Sequence, residues 1–389
     1  MNLAMPSKTS PAKWRRDWRL GVILLLGFLL IAVAVNWLRY ELRSYALLTH
    51  FTDPEATGPI LRWESRQVTT EDVPISTSGE PIPGRLYKPA GISRPPGMVI
   101  AHGIHHLGIN EPRLVNFARA MAGTGIEVLT PELTSLADYH VDAASIAAIG
   151  ESAGWLDQHL GNRRVTVTGV SFAGGLALLA ACDPKYAPHF KALVLMGAYA
   201  DLARASRFLV TDEEEFPDGR TLKFPAHPYG AQVLVYARLD KFFPPNDLPA
   251  AYEALRYWLW EQPEDARSWL AKLSPASRTT MESLFNRQFD TLRPKMLVAI
   301  RADQPQLDAI SPHGRIAGLR IPVFILHGTA DDIIPASESA WLQREVPPAD
   351  LRAALITPVF SHVDAKKSGD WWEKLRLVQF IAEVLRATN

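Results

Sequence analysis

Residues 165–182 read VTVTGVSFAGGLALLAAC. The first six, Val165 to Val170, alternate β-branched residues and form a buried strand in the making. The last eleven, Phe172 to Cys182, are small and aliphatic, the composition of a fully buried helix. Between them stands Gly169-Val170-Ser171-Phe172-Ala173, a serine on a sharp strand-to-helix turn. Such a turn lifts the hydroxyl out of the sheet and places it before a helix N-terminus, where developing negative charge is stabilised. Its tight backbone demands small residues two before and two after the serine. Gly169 and Ala173 meet that demand, with alanine where glycine is usual. G-x-S-x-[GA] arises often by chance, and an ordinary tight turn would read the same way. Its position in a strand–helix series gives it weight.

That series extends in both directions. Gly97 to His102 (GMVIAH) and Ile126 to Leu129 read as buried strands, as does Ala192 to Met196 (ALVLM). Pro112 to Gly123 reads as a helix with proline in its first turn, and Ala143 to Leu160 as a helix with Gly161 as its C-terminal cap. The rhythm means βαβ units and a parallel sheet. From Asp201 to about Arg320 it stops. Helical patterns appear there around 248–260, 263–273 and 275–289, with Ser274 placed to cap the last. A connection of that length is an inserted subdomain. Strands resume at Ile321–His327 and Leu351–Ile356, with helices over Ser337–Val346 and about Asp370–Arg386.

Three further stretches carry candidate chemistry. His102-Gly103-Ile104 ends the strand GMVIAH, and Gly103 permits close approach of another backbone, although glycine also serves plain turns. His327-Gly328-Thr329-Ala330-Asp331-Asp332-Ile333-Ile334-Pro335 follows an apolar strand. An acid there can orient an imidazole; the spacing to Gly328 and Pro335 favours Asp331 over Asp332, while a turn-capping aspartate would look alike. Asp201, just after ALVLM, is a second candidate acid. Of the 11 histidines, His362 alone lies beyond Asp331.

Taken in order, the strand-ending His102-Gly103, the turn at Ser171, the Asp331 loop and the late His362 resemble the α/β-hydrolase superfamily, over about residues 66–389 apart from the insertion. The resemblance implies a mostly parallel, doubly wound α/β sheet with an inserted helical cap. It implies a Ser171–Asp331–His362 triad, since the family runs serine, acid, histidine along the chain, and an oxyanion hole made by the backbone N–H groups of Ile104 and Phe172. The implied chemistry is acyl transfer to water through an acyl-enzyme, most readily on a carboxylic ester, with no metal or organic cofactor. A serine peptidase would use the same triad, and a silent binding module would share the fold.

Other clusters are weaker. His102, His105 and His106 lack a metal-site pattern, and His105 and His106 are placed to line a pocket mouth. Cys182 reads as core. Tyr252, Tyr257, Trp258, Trp260 and Trp269 of the insertion are candidates to line an apolar acyl site, and Glu213-Glu214-Glu215 reads as a solvated loop.

Composition narrows the rest. With 41 basic and 41 acidic residues the net charge is zero, which excludes the surplus of Lys and Arg that a general nucleic-acid binder needs. A single cysteine excludes an intramolecular disulfide. Residues 20–38, LGVILLLGFLLIAVAVNWL, are uncharged, and as a helix they would span roughly 28 Å, a bilayer's hydrocarbon thickness. Lys8, Lys13, Arg15, Arg16 and Arg19 precede them against one acid, Asp17. The expected organisation is a cytoplasmic tail (1–19), a single-pass anchor (20–38), a stalk (39–65), the first part of the hydrolase core (66–200), the cap (201–320) and the second part of the core (321–389), with the catalytic domain extracytoplasmic. A signal peptide cleaved after Ala32-Val33-Ala34 and a helix buried in a core are the competing readings. The expected partners are a small acyl substrate, apolar in character, and the membrane.

Overall fold

A computed structural model describes residues 11–361, 364–365 and 370–389. Its centre is an eight-stranded sheet, numbered here in chain order: β1 Val68–Ile75, β2 Ile82–Pro89, β3 Gly97–Ala101, β4 Glu127–Pro131, β5 Val165–Val170, β6 Phe190–Met196, β7 Val323–Gly328 and β8 Leu351–Thr357. The order across the sheet is β1-β2-β4-β3-β5-β6-β7-β8. From β4 to β8 every pairing is parallel, while β1–β2 and β2–β4 are antiparallel. The strand order reverses between β3 and β5, so side chains leaving β3 and β5 face a crevice at the carboxyl ends, where α/β sheets bind ligands.

The buried parallel strands were legible because both faces are covered and their sequences are continuous apolar runs. β1 and β2 were not, because they form the sheet's edge. Only Ile75 of β1 is buried, and across its pairing with β2 Glu71 binds Lys88 and Asp72 binds Arg85. Charge on an edge strand blocks further strand pairing.

Helices cover both faces. Phe172–Cys182 follows β5 and is buried from Phe172 to Ala181, packed on the sheet by Leu176 and Leu178. Each such leucine contributes roughly 1.5–3 kcal/mol of burial energy. Glu111 caps Pro112–Gly123 by accepting from the Leu114 amide, and Asp142 caps Ala143–His159 by accepting from the Ser145 amide. Gly161, at φ +79, ends the latter helix in the left-handed conformation. The final helix, Trp371–Thr388, packs on the other face.

The first helix runs unbroken over Pro11–Thr52. Its apolar part is exposed from Ile23 to Leu38, apart from the half-buried Gly27, and is long and apolar enough to cross a membrane. The segment expected as a stalk, 39–65, consists of the end of this helix and a short helix, Pro59–Glu64. It is bound to the domain: Ser44, Ala46 and Leu47 are buried, and Ser44 Oγ donates to the Val378 carbonyl at 2.6 Å.

The insertion is helical, as expected, and differs in detail. Helices cover Leu202–Thr211, Pro228–Tyr236, Leu248–Leu259, Pro263–Ser268, Pro275–Phe285 and Arg293–Ala302. Ser274 precedes its helix but does not cap it. Its hydroxyl donates to Asp247 at 2.5 Å, because a buried carboxylate outcompetes a helix amide. Glu213–Glu215 is not a solvated loop either. It pairs with Thr221–Lys223 as a short hairpin, and Glu214 is buried, accepting from the Ser337 amide.

Candidate active site

Ser171 ends β5 at φ 55 and ψ −129. A non-glycine residue in that region is strained by about 1–3 kcal/mol and persists only where its surroundings hold it. They do so from both sides. The Ser171 amide donates to the Met196 carbonyl at the end of β6 at 2.7 Å, and the Ser171 carbonyl accepts from the Gly174 amide at 2.9 Å. Two residues earlier, a Cβ on Gly169 would lie 2.6 Å from the Gly174 Cα, so the turn closes only without a side chain there. The Ser171 side chain is buried and lines a cavity of about 520 Å³.

The loop after β3 lies against it. A Cβ added to Gly103 would sit 2.9 Å from the Ser171 Cβ. The buried His102 ring fixes this loop. Its Nδ1 is 2.8 Å from the Gly103 carbonyl, and its Nε2 is 2.9 Å from the Leu133 amide. An amide can only donate, so Nε2 accepts and the proton resides on Nδ1, which donates to Gly103. In a trans peptide the carbonyl and the following N–H point opposite ways, so binding the Gly103 carbonyl to His102 turns the Ile104 N–H away from the ring. Phe172 begins the helix, where amides have no acceptor one turn back. Ile104 also lines the Ser171 cavity.

Glu132 braces the loop from below. It accepts from the Ile109 amide at 3.1 Å and lies 3.6 Å from His102 Nε2. Burial works to raise its pKa, but the hydrogen bond from the Ile109 amide works the other way, and the carboxyl stays below its ordinary value. His105 lines the Ser171 cavity, and burial with the neighbouring His106 pushes its pKa down.

Asp331 is 1% exposed. Its Oδ1 accepts from the Ile333 and Ile334 amides, both at 3.0 Å, so the turn that holds it is its own. Its Oδ2 lies 3.3 Å from where a Gly197 side chain would begin, one residue past Met196. His327, also buried, braces the turn, with Nε2 2.9 Å from the Ile334 carbonyl and Nδ1 2.6 Å from Ser339 Oγ. Asp201 is otherwise engaged. It caps Leu202–Thr211 through the Arg204 amide at 2.9 Å, while its own amide and Arg204 both bind the buried Glu338. Asp332 lines the Ser171 cavity. His362 lies outside the described residues; on either side of it, Phe360–Ser361 pairs with Asp364–Ala365.

A second cavity of about 730 Å³ opens between the core and the insertion. It adjoins the first, since Ile104, Tyr139, Tyr229 and Ile333 line both. Its apolar wall comes from Leu202, Val233, Phe242, Met296, Ile300 and Leu307. The aromatic residues expected to line an acyl site are not in it. Trp258 stacks on Phe285 at 4.1 Å, Trp260 faces His106 and Arg256, and Tyr252 stacks on Tyr236 while its hydroxyl donates to Asp138. They hold the insertion together and onto the core. Tyr139, which no motif marked, sits where the cavities meet at φ 61 and donates to the Leu259 carbonyl at 2.8 Å.

A family model described as the alpha/beta hydrolase fold matches residues 129–354. No curated protein matches the chain by sequence. Among solved structures, the Pyrococcus horikoshii acylaminoacyl peptidase is similar at 11% identity and a TM-score of 0.50, over 84% of this chain and 42% of that one. A 2-hydroxy-6-oxo-6-phenylhexa-2,4-dienoate hydrolase of Rhodococcus sp. strain RHA1 has 15% identity and a TM-score of 0.43, over 81% of this chain and 99% of that one. A bacterial membrane phospholipase A has 15% identity and a TM-score of 0.41, over 95% and 99%. At 11% identity the likeness to the peptidase is one of fold.

Proposed function

The chain belongs to the alpha/beta hydrolase fold family, and on that premise we propose that it is a serine hydrolase cleaving carboxylic esters through an acyl-enzyme. The observation that carries this reading is the backbone of Ser171, held at positive φ with its side chain in a cavity and against the Gly103 loop. Strain of that kind at a serine, maintained by bonds to β6 and to its own helix, has no evident packing benefit.

In the proposed mechanism His362 takes the Ser171 hydroxyl proton as the oxygen attacks the ester carbonyl. The tetrahedral oxygen receives the Ile104 and Phe172 amides. His362 then protonates the departing alcohol and, in the second half, activates the water that releases the acid. Asp331 holds the imidazole in the tautomer this requires. The apolar acyl part of the substrate occupies the 730 Å³ cavity beneath the cap, next to Ile104 and Phe172.

The same reading takes the exposed apolar helix as a single-pass anchor. The basic residues before it favour an N-terminus in the cytoplasm and a catalytic domain outside. Treatment of the full chain with a fluorophosphonate should label wild type and leave Ser171→Ala unlabelled. Equal labelling of both would reject Ser171 as the nucleophile.

A further inference from the structure

The first helix does more than lead into the domain, because it fixes the direction in which the domain faces. Near the end of the apolar span, Arg386 donates to the Trp37 carbonyl at 3.1 Å and to Glu41 at 2.9 Å, and its guanidinium lies over the Trp37 and Tyr40 rings. Thr388, half a turn further along the last helix, meets Thr166 at the start of β5, and its carbonyl accepts from Lys191 at the start of β6. The starts of the parallel strands therefore lie level with Trp37.

At its other end, Phe51 packs edge-on against Phe117 and lines the Ser171 cavity. From Trp37 to Phe51 the helix rises about 21 Å. From Thr166 to Ser171 the strand rises about 17 Å. Two independent elements thus give the same polarity, with strand starts at the span and strand ends, bearing Ser171, well above it.

The edge at the level of the span is basic. Arg62, Arg66, Arg94, Arg164 and Arg320 are exposed there, each in the segment that leads into a strand. Glu64 is bound by Arg43, Glu127 by His159 and Glu383 by Arg386, and Asp183 and Asp350 are only half exposed. Trp63 is 90% exposed, and its neighbour Glu64 pairs with Arg43, which places the indole beside the first turn above the span. An exposed tryptophan among arginines at that depth suits the headgroup region of an anionic bilayer.

We infer that the strand-start edge of the domain, through Trp63 and these arginines, docks on an anionic membrane surface. The inference rests on the reading of the first helix as a membrane anchor. It holds Ser171 and its cavity about 20 Å above the end of the apolar span, so substrate arrives from the aqueous side.

The test uses the full chain in vesicles of phosphatidylglycerol or phosphatidylcholine. In a Cys182→Ser background, a fluorophore is placed on Ser93→Cys, exposed beside Arg94, or on Glu261→Cys, exposed beside the Ser171 cavity. Lipids spin-labelled at the headgroup should quench the Ser93 site in anionic vesicles at least about threefold more than the Glu261 site, since ~20 Å lies beyond collision range. Exchanging Arg62, Arg94 and Arg164 together for Glu should remove that difference while flotation with the vesicles persists. Equal quenching at the two sites, or quenching at Ser93 indifferent to lipid charge and to the exchange, would overturn the docking face. Failure to float at all would reject the anchor itself. Neither readout depends on esterase activity, so the catalytic assignment stands or falls separately.

Discussion

Ser171 and Asp331 are tied to the same strand end. The Ser171 amide binds the Met196 carbonyl at 2.7 Å, and Asp331 Oδ2 lies 3.3 Å from the side-chain position of the next residue, Gly197. The end of β6 thus sets the separation of two groups 160 positions apart in the chain. Asp331→Asn keeps an acceptor for the Ile333 and Ile334 amides, so the turn should survive. The imidazole tautomer would not, and kcat should fall by roughly 10³–10⁴-fold. Asp201→Asn should leave kcat nearly unchanged, since asparagine caps a helix as well as aspartate does. Steady-state kinetics on a chromogenic ester would show the ranking, and the reverse order would move the acid to β6.

Gly103→Ala places a methyl 2.9 Å from the Ser171 Cβ, so one of the two must move. Displacement by a fraction of an ångström in a catalytic loop costs rate more than stability. The expected result is a fall in kcat/KM of about 10–100-fold with a small change in Tm. A variant of normal activity would show that the loop tolerates the shift and is not part of the oxyanion site.

Glu132 predicts a pH dependence. Its folded pKa is held below the ordinary 4.5, so its contribution is present above pH 4.5 and is lost as pH falls through the lower folded value. Glu132→Gln should flatten this acid-side loss in urea denaturation between about pH 5 and 3. It should also be less stable than wild type at pH 7. Parallel curves for the two proteins would mean the carboxylate does not support the loop.

The cap cavity predicts specificity. Ile300→Trp fills part of its wall and should lower kcat/KM for long-chain esters by roughly tenfold or more, with acetate esters spared. Trp258→Phe, within the cap's own core, should not change the chain-length profile. If the Trp258 change shifted the profile and the Ile300 change did not, the acyl site would lie elsewhere.

The βαβ succession, the turn at Ser171 and the helical character of the insertion were legible in the chain because each is a local matter. Apolar periodicity, a glycine at a turn and a proline in a first helical turn act within a few residues of themselves. The edge strands β1 and β2 escaped, since an exposed edge carries the charges of a loop. Asp331 and Asp201 each follow an apolar strand, and the sequence favoured Asp331 only through its spacing to Gly328 and Pro335 and the resemblance of the whole motif order. Only packing shows that one faces Gly197 beside Ser171 while the other caps a helix. The cap's conspicuous aromatics suggested a binding wall, yet the wall comes from plainer residues such as Met296 and Ile300. Which face of a cap helix meets the cavity depends on how that helix leans against the core. Composition sets what can be buried, and long-range packing sets what it is buried against.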